Sequence, residues 1–172
     1  MIQPVMSQPS SAMKTIPTDD SSNRIFSVVG DRYRFLVTGE ESGGAFAMFE
    51  FVIPPDHGPP PHVHHREDEV FHVIEGEFEF TIGGQSIRAA AGATLYGKRD
   101  VPHTFKNIGD QPGRMIVVVT PAGLEKFFAE VGTPLATHEC PTVEPTPGDI
   151  QRLFATAPRY DLEILVPAPP KT

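Results

Sequence analysis

The sequence has no tryptophan and one cysteine, Cys140. A single cysteine excludes an intramolecular disulfide, and only His138 lies near enough in the chain to partner it, so we interpret it as a bystander. The longest purely apolar runs, such as residues 115–119, are far too short to span a bilayer. The N-terminal residues show no basic segment followed by an apolar one. We therefore expect a cytoplasmic protein without a membrane segment.

Positive charge is also scarce. Lysine and arginine number 14 against 22 aspartates and glutamates, for a formal net charge of −8. The basic residues neither cluster nor alternate with aromatics, which argues against nucleic-acid binding because phosphate neutralisation needs clustered cations. What the chain has in quantity is phenylalanine, proline and glycine, with 12, 19 and 15 residues. This composition favours a turn-rich β-protein with a core of phenylalanine.

The distribution of turn signals predicts three regions. Residues 1–23 are rich in Ser, Pro, Thr and Asp without a period, and we expect a mobile arm. Residues 24–121 contain short alternating strands separated by glycine turns, including Gly83-Gly84, and no helical period. We predict an all-β fold there, an antiparallel β-barrel or jelly roll. Residues 122–172 are expected to form a short C-terminal helical extension and a Pro-rich tail that pack on the barrel.

Two helices are predicted in that extension. The first covers residues 122–131, since apolar residues recur there at helical spacing and Gly132 follows. The second starts at a capping box formed by Thr146 and Asp149. The apolar faces of the two helices consist of Leu124, Phe127, Phe128, Val131, Ile150, Leu153 and Phe154.

The strongest chemical signal is a set of histidines with one carboxylate. His62 and His64 are two residues apart, so both point to one face of an extended strand. Glu69 opens the next apolar run, and His103 lies further along the chain. Three imidazoles and a carboxylate suit a divalent first-row metal. Two neighbouring acids, Glu67 and Asp68, compete with Glu69, because a one-residue slip reverses the face of a strand. Of the other histidines, His65 is expected to point outward, His57 to lie at the surface or at the mouth of the pocket, and His72 to lie between sheets or at a subunit contact.

Strand parity also predicts the walls of a pocket. The residues expected to share the inward phase of the ligands are Phe71, Val73, Phe80 and Phe105, with Phe46 and Met48 as further candidates. An apolar, aromatic cavity around one metal suits a flat organic substrate better than a sugar phosphate. Lys98 and Arg99 are expected at the rim as solvated cations.

These residues resemble two motifs of the cupin superfamily. His62-x-His64-x4-Glu69-x6-Gly76 is similar to the first cupin motif, and Gly92 through His103-x3-Asn107 to the second. The resemblance covers roughly residues 24–121, and residues 59–80 are most similar to single-domain cupins grouped with quercetin 2,3-dioxygenases. Three positions depart from the family pattern. Asp56, Lys98 and Asp100 stand where the family has glycine, proline and glycine.

The resemblance implies a cupin barrel that binds one divalent transition metal (Fe, Mn, Ni, Co or Cu, with Zn in purified protein) through His62, His64, Glu69 and His103. It implies a dioxygenase acting with O2 on a small apolar aromatic or enol-type substrate such as a flavonol. Glu69 would then also accept the proton of the substrate hydroxyl. Two alternatives remain open: a non-catalytic cupin that binds or senses a small molecule, and a metal-assisted isomerase or hydrolase.

A homodimer is also expected. The strand at residues 45–53 is apolar on both faces, and the outward residues of the strand at residues 70–74 need a cover as well. The predicted helix faces are too few to cover both surfaces, and a two-fold contact is the commonest way to bury such a patch. By resemblance to other cupins, residues 24–29 are the candidate for exchange between subunits.

Overall fold

The computed structural model describes residues 24–166. The expected mobile arm at residues 1–23 and the end of the Pro-rich tail at residues 167–172 lie outside the described residues. No helix within residues 24–166 has the length and apolar character that a membrane span requires.

The described residues form twelve strands, two α-helices and a short 3-10 helix at Ala157–Tyr160. In chain order the strands are β1 Ile25–Val28, β2 Asp31–Val37, β3 Ala47–Ile53, β4 His62–His64, β5 Asp68–Glu75, β6 Glu77–Ile82, β7 Gln85–Ala90, β8 Thr94–Gly97, β9 His103–Asn107, β10 Gly113–Thr120, β11 Thr133–Pro134 and β12 Leu162–Ile164. The helices are α1, Leu124–Val131, and α2, Pro147–Thr156.

The strands build two antiparallel sheets. One has the order β11-β1-β2-β3-β10-β5-β8 and the other the order β12-β4-β9-β6-β7. The inner faces of the two sheets enclose one hydrophobic core of alternating residues. The predicted all-β fold with a short helical extension is thereby confirmed, in the form of a two-sheet jelly roll rather than a closed barrel.

Strand β3 shows how the alternation sets the core. Ala47, Phe49, Phe51 and Ile53 are buried, while the residues between them are half-buried on the outer face. That outer face is not wholly apolar as expected, since it carries Glu50, whose carboxylate lies 3.3 Å from Nη1 of Arg114.

The two helices lie on the inner side of the larger sheet, where α1 packs against the sheet and α2 packs against α1. The ring of Phe128 in α1 stands edge-on to Tyr33 of β2 and to Phe49 and Phe51 of β3, at centroid distances of 4.8, 5.4 and 5.8 Å. Since their apolar side chains are used there, α1 and α2 do not cover the outer sheet surface. Helix α2 begins with the predicted capping box, in which the Asp149 carboxylate accepts a 2.9 Å hydrogen bond from the amide of Thr146.

A two-residue turn joins β1 to β2. Val29 and Gly30 have φ values of 51° and 89°. Positive φ at both positions is the geometry of a type I′ hairpin. Strand β1 pairs in register with β2 of its own chain, with Ile25 opposite Arg34 and Val28 opposite Asp31. This pairing lies within one chain, so the exchange of residues 24–29 between subunits stays a prediction.

Candidate metal centre

Three strands bring the four motif residues together. His62 and His64 lie on β4, Glu69 on β5 and His103 on β9. Their candidate ligand atoms all lie within 4.8 Å of one another. The pairing of β4 with β9 sets His62 directly opposite His103, so the two motifs, which are far apart in the sequence, become neighbours in the fold.

The hydrogen bonds of the histidines fix their tautomers. Nδ1 of His62 lies 2.8 Å from the carbonyl oxygen of Pro60, and Nδ1 of His103 lies 3.0 Å from that of Val101. A carbonyl only accepts, so each Nδ1 carries the proton and donates it. The Nε2 lone pair of His62 is therefore free for a metal, and that of His103 becomes free when the proton it shares with Glu69 leaves.

His64 follows the same pattern with a carboxylate behind it. Its Nε2 lies 3.5 Å from Oε2 of Glu69, and its Nδ1 lies 3.5 Å from Oε2 of Glu67. Within residues 24–166, Nδ1 of His64 and this Glu67 oxygen are buried polar atoms that lack a hydrogen-bond partner. Because 3.5 Å is long for a hydrogen bond, a small ring rotation would satisfy both atoms.

Burial and mutual charge set the protonation of the cluster. Burial, together with the neighbouring imidazoles His64 and His103, lowers the pKa of His62 to about 3, so that ring is neutral. Burial opposes ionisation of Glu69, but the charge of His64 and a hydrogen bond from His103 outweigh it and lower the pKa to about 2. Nε2 of His103 lies 2.7 Å from Oε2 of Glu69, and this contact raises the pKa of His103 against the effect of burial.

The donor set fits a divalent transition metal. Three imidazole nitrogens and one carboxylate oxygen converge, and two of the rings are oriented by backbone carbonyls, as in known metal sites. The proton held between His103 and Glu69 would leave on metal binding, since a ligating histidine is neutral.

The two competing acids are placed elsewhere. Asp68 pairs with Arg99 through its two oxygens, at 3.1 Å from Nε and 2.9 Å from Nη2. This pairing uses the Arg99 side chain that was expected to be a solvated rim cation. Glu67 is buried behind His64 rather than beside the other ligands. Glu69 is therefore the carboxylate of the cluster.

Three further histidines of the sequence analysis lie outside the cluster. His65 points outward, where its ring nitrogens contact Asp100 at 2.8 Å and Glu163 at 3.1 Å. His72 lies on the outer sheet surface beside Thr94. His57 is half-buried, with Nδ1 3.3 Å from Oδ1 of Asp31.

A cavity opens from the cluster toward the helices. Its volume is about 90 Å³, and about 720 Å³ when the open space at its mouth is included; His62, His64 and Glu69 form part of its wall. Of the predicted wall residues, Phe71 and Phe105 line it. Val73 and Phe80 are completely buried in the core and do not reach it.

The predicted inward phase of Phe46 and Met48 is corrected by the structure. Phe46 precedes β3 and is 36% exposed, and Met48 faces outward because it alternates with the buried residues Ala47 and Phe49. Neither side chain lines the cavity.

Sequence reasoning missed several cavity residues. Asp31 and Tyr33 enter from β2, and their shared parity with buried Phe35 could have indicated them. Further wall residues come from the end of β1, the β1–β2 turn, α1, α2 and β12. No local pattern places them at the cavity: Val28, Val29, Leu124, Phe127, Phe128, Leu153, Leu162 and Ile164.

Two of the departures from the cupin motifs keep a glycine-like backbone. Asp56 and Asp100 have φ values of 64° and 63°, in the left-handed region that aspartate tolerates better than most residues. Aspartate could not replace the nearby Gly58 in the same way, because a Cβ at that position would lie 1.9 Å from the carbonyl oxygen of Phe105. The turns beside the cluster are thus retained despite the substitutions.

Comparison with known proteins agrees with this site. The cupin domain family matches residues 49–119. A quercetin 2,3-dioxygenase of Aspergillus japonicus is 34% identical over 121 residues, which are 66% of this chain and 34% of the relative. A quercetin 2,3-dioxygenase of Bacillus subtilis is 23% identical over 145 residues, 81% of this chain and 41% of the relative. The chain therefore spans well under half the length of these two relatives.

A solved structure supports the fold. An RmlC-like cupin from Shewanella frigidimarina superposes with a TM-score of 0.53 at 19% identity, covering 64% of this chain and 93% of that one. Taken with the convergent histidines and carboxylate and the two-sheet jelly roll, these matches show a cupin domain at residues 49–119, and the chain resembles quercetin 2,3-dioxygenase-like proteins.

Proposed function

We propose that this protein is a metal-dependent dioxygenase that acts with O2 on a small aromatic or enol-type substrate, of which a flavonol is the model case. The observation that carries the proposal is the position of the His62, His64, Glu69 and His103 cluster at the wall of an aromatic cavity. The similarity to two quercetin 2,3-dioxygenases supports it.

The cavity suits a flat, apolar ligand. Its walls carry the rings of Phe71 and Phe105 next to the cluster, and those of Tyr33, Phe51 and Phe128 further away. Aromatic walls with a few convergent polar groups favour an aromatic ligand over a sugar.

A metal held by the four side chains would supply a Lewis-acidic, redox-active centre that acidifies a substrate hydroxyl and brings O2 beside it. His62 and His103, oriented through Nδ1, would hold the centre in place. Glu69 is ionised at neutral pH, because its pKa lies near 2. Its carboxylate would accept the proton of the acidified hydroxyl, while the apolar walls exclude water.

Oxygen uptake tests the proposal. Protein loaded anaerobically with Fe, Mn, Ni, Co or Cu is mixed with oxygenated buffer and a panel of flavonols, phenols and diketones. We expect oxygen consumption with at least one metal and substrate, and a loss of about 100-fold or more in Glu69→Gln at equal metal content. Glu79→Gln, on the outer face of β6, is the matched control. Tight ligand binding without any oxygen consumption would favour a binding or sensing cupin instead.

We also propose that two copies of the chain pair through the outer face of the larger sheet. Met48, Val118, Val70 and Tyr96 lie in register across β3, β10, β5 and β8 and form an outer-face row. Tyr96 is 56% exposed, and Ile74 beside the row is also exposed. An apolar strip of this kind marks a contact surface.

A further inference from the structure

Asp31 is a buried carboxyl that the proposed chemistry does not use. It is 4% exposed and lines the same cavity as Glu69. The two acids lie on β2 and β5, with β3 and β10 between them. Three inter-strand spacings amount to about 14 Å across the sheet, and the two acids are also offset along the strands, because the register sets Tyr33 level with Val73 rather than with Glu69. The cavity therefore has a second polar group well away from the metal cluster.

The carboxyl of Asp31 has little compensation within the protein. The hydrogen bond that residues 24–166 provide to its side chain is the 3.3 Å contact with Nδ1 of His57, whose ring is half-buried on the adjacent proline-rich loop. Burial raises the pKa of Asp31 to about 8. At neutral pH the group is therefore protonated and offers both an O–H donor and a carbonyl acceptor.

The turn that leads into Asp31 is also unfavourable. Val29 has a φ of 51°, a conformation that is unfavourable for a β-branched residue, and its side chain lines the cavity. A buried, weakly paired acid following a strained turn is destabilising. Such features persist where the site needs them.

The space between the two polar groups is apolar and aromatic. Tyr33 stacks on Phe51 at a ring-centroid distance of 3.8 Å, and Phe128 stands edge-on to both rings. These three rings line the cavity together with Asp31. A ligand reaching from the cluster to Asp31 would lie along them.

We propose that Asp31 is a substrate-positioning residue that hydrogen-bonds a polar group on the end of an elongated aromatic ligand remote from the metal cluster. The ligand class is a polyphenol with one reacting enol or phenol group and a second hydroxyl on a distant ring. This inference rests on the proposed function in one respect, which is that the reacting group of the ligand binds at the metal cluster.

Binding of three probes tests the inference without turnover. The probes are 3-hydroxyflavone and two flavonols with added hydroxyls, one on the fused ring and one on the pendant ring. Their dissociation constants are measured anaerobically on metal-loaded protein by fluorescence. We expect the wild type to prefer one of the hydroxylated flavonols over 3-hydroxyflavone by about tenfold, the effect of one added hydrogen bond.

Two variants and a control complete the test. Asp31→Ala is expected to remove the preference while leaving the affinity for 3-hydroxyflavone within about twofold. Asp31→Asn, whose amide still donates and accepts, is expected to keep part of it and guards against misfolding. Asp56→Asn, an exposed acid on the nearby loop, should change neither value. An unchanged preference in Asp31→Ala, or no binding of any probe to the wild type, would overturn the inference.

The outcome also separates this inference from the proposed function. A preference that depends on Asp31 without oxygen consumption would retain the positioning role and reject the dioxygenase. Oxygen consumption together with a probe preference that does not depend on Asp31 would retain the dioxygenase and reject the positioning role.

Discussion

Nδ1 of His64 lies 3.5 Å from Oε2 of Glu67, and both side chains are almost completely buried. Nε2 of the same ring faces Glu69 at 3.5 Å. Glu67 therefore stands behind a candidate metal ligand, where a carboxylate sets the ring orientation and increases the basicity of the ligating nitrogen. An acid that competes with Glu69 in the sequence has a supporting role in the structure.

The first prediction concerns this contact. Glu67→Gln should weaken metal affinity by about 10- to 100-fold, because the amide orients the ring without adding negative charge. Competition with a chromophoric chelator measures the affinity, and Glu79→Gln is the control for charge loss at a half-buried position on the outer face of β6. Equal affinities for the wild type and Glu67→Gln would show that the carboxylate does not support the site.

The second prediction is one divalent metal per chain. The double variant His62→Ala, His64→Ala should lose nearly all metal, since it removes two of four converging ligands. Elemental analysis of purified protein measures this. A matched double variant, His65→Ala with His72→Ala, removes two histidines outside the cluster and should keep the wild-type content. Unchanged metal in the first variant would contradict the assignment.

The third prediction is a pH-dependent gain in stability for Asp31→Asn. The unfolded aspartate ionises near pH 4, whereas burial raises the pKa of the folded group to about 8. The unfolded chain thus binds fewer protons between these values, and the wild type loses stability as pH rises from about 4 to about 8. The variant lacks this loss. Its advantage should grow across that window, by up to about 5 kcal/mol, and level off above it.

Urea unfolding at several pH values measures the difference. The polar groups facing Asp31 are His57 from the loop and Tyr33 from its own strand, and both are present in the wild type and the variant. The difference between the two proteins therefore isolates Asp31. A difference that is constant with pH would contradict the raised pKa.

The fourth prediction is a homodimer through the outer-face row. Light scattering at micromolar concentration should give about twice the 18.8 kDa mass of one chain. Val118→Glu should yield the monomer, because it places a charge between Met48 and Val70. Glu79→Lys changes charge on the other sheet and should leave the dimer intact. A wild-type mass of one chain, independent of concentration, would exclude the dimer.

Local sequence patterns determined much of the fold and of the cluster. The two-residue spacing of His62 and His64 fixes their common face wherever the strand lies, since side chains alternate with period two. The positive φ angles of the Gly83-Gly84 turn and the capping box at Thr146 follow from their own residues. These features depend only on residues adjacent in the chain, so the sequence alone predicts them.

Tertiary packing decided what no local pattern contains. The spacing in the sequence favoured Glu69 over Glu67 and Asp68, but the positions of those two acids were decided by the pairing of β5 with its neighbours and by the Asp68–Arg99 contact. The inner wall supplied by Phe128 and the placement of Asp31 in the cavity depend on elements that meet from distant parts of the chain. Helix amphipathicity states that a face is buried but not against which partner, because the hydrophobic effect has no direction.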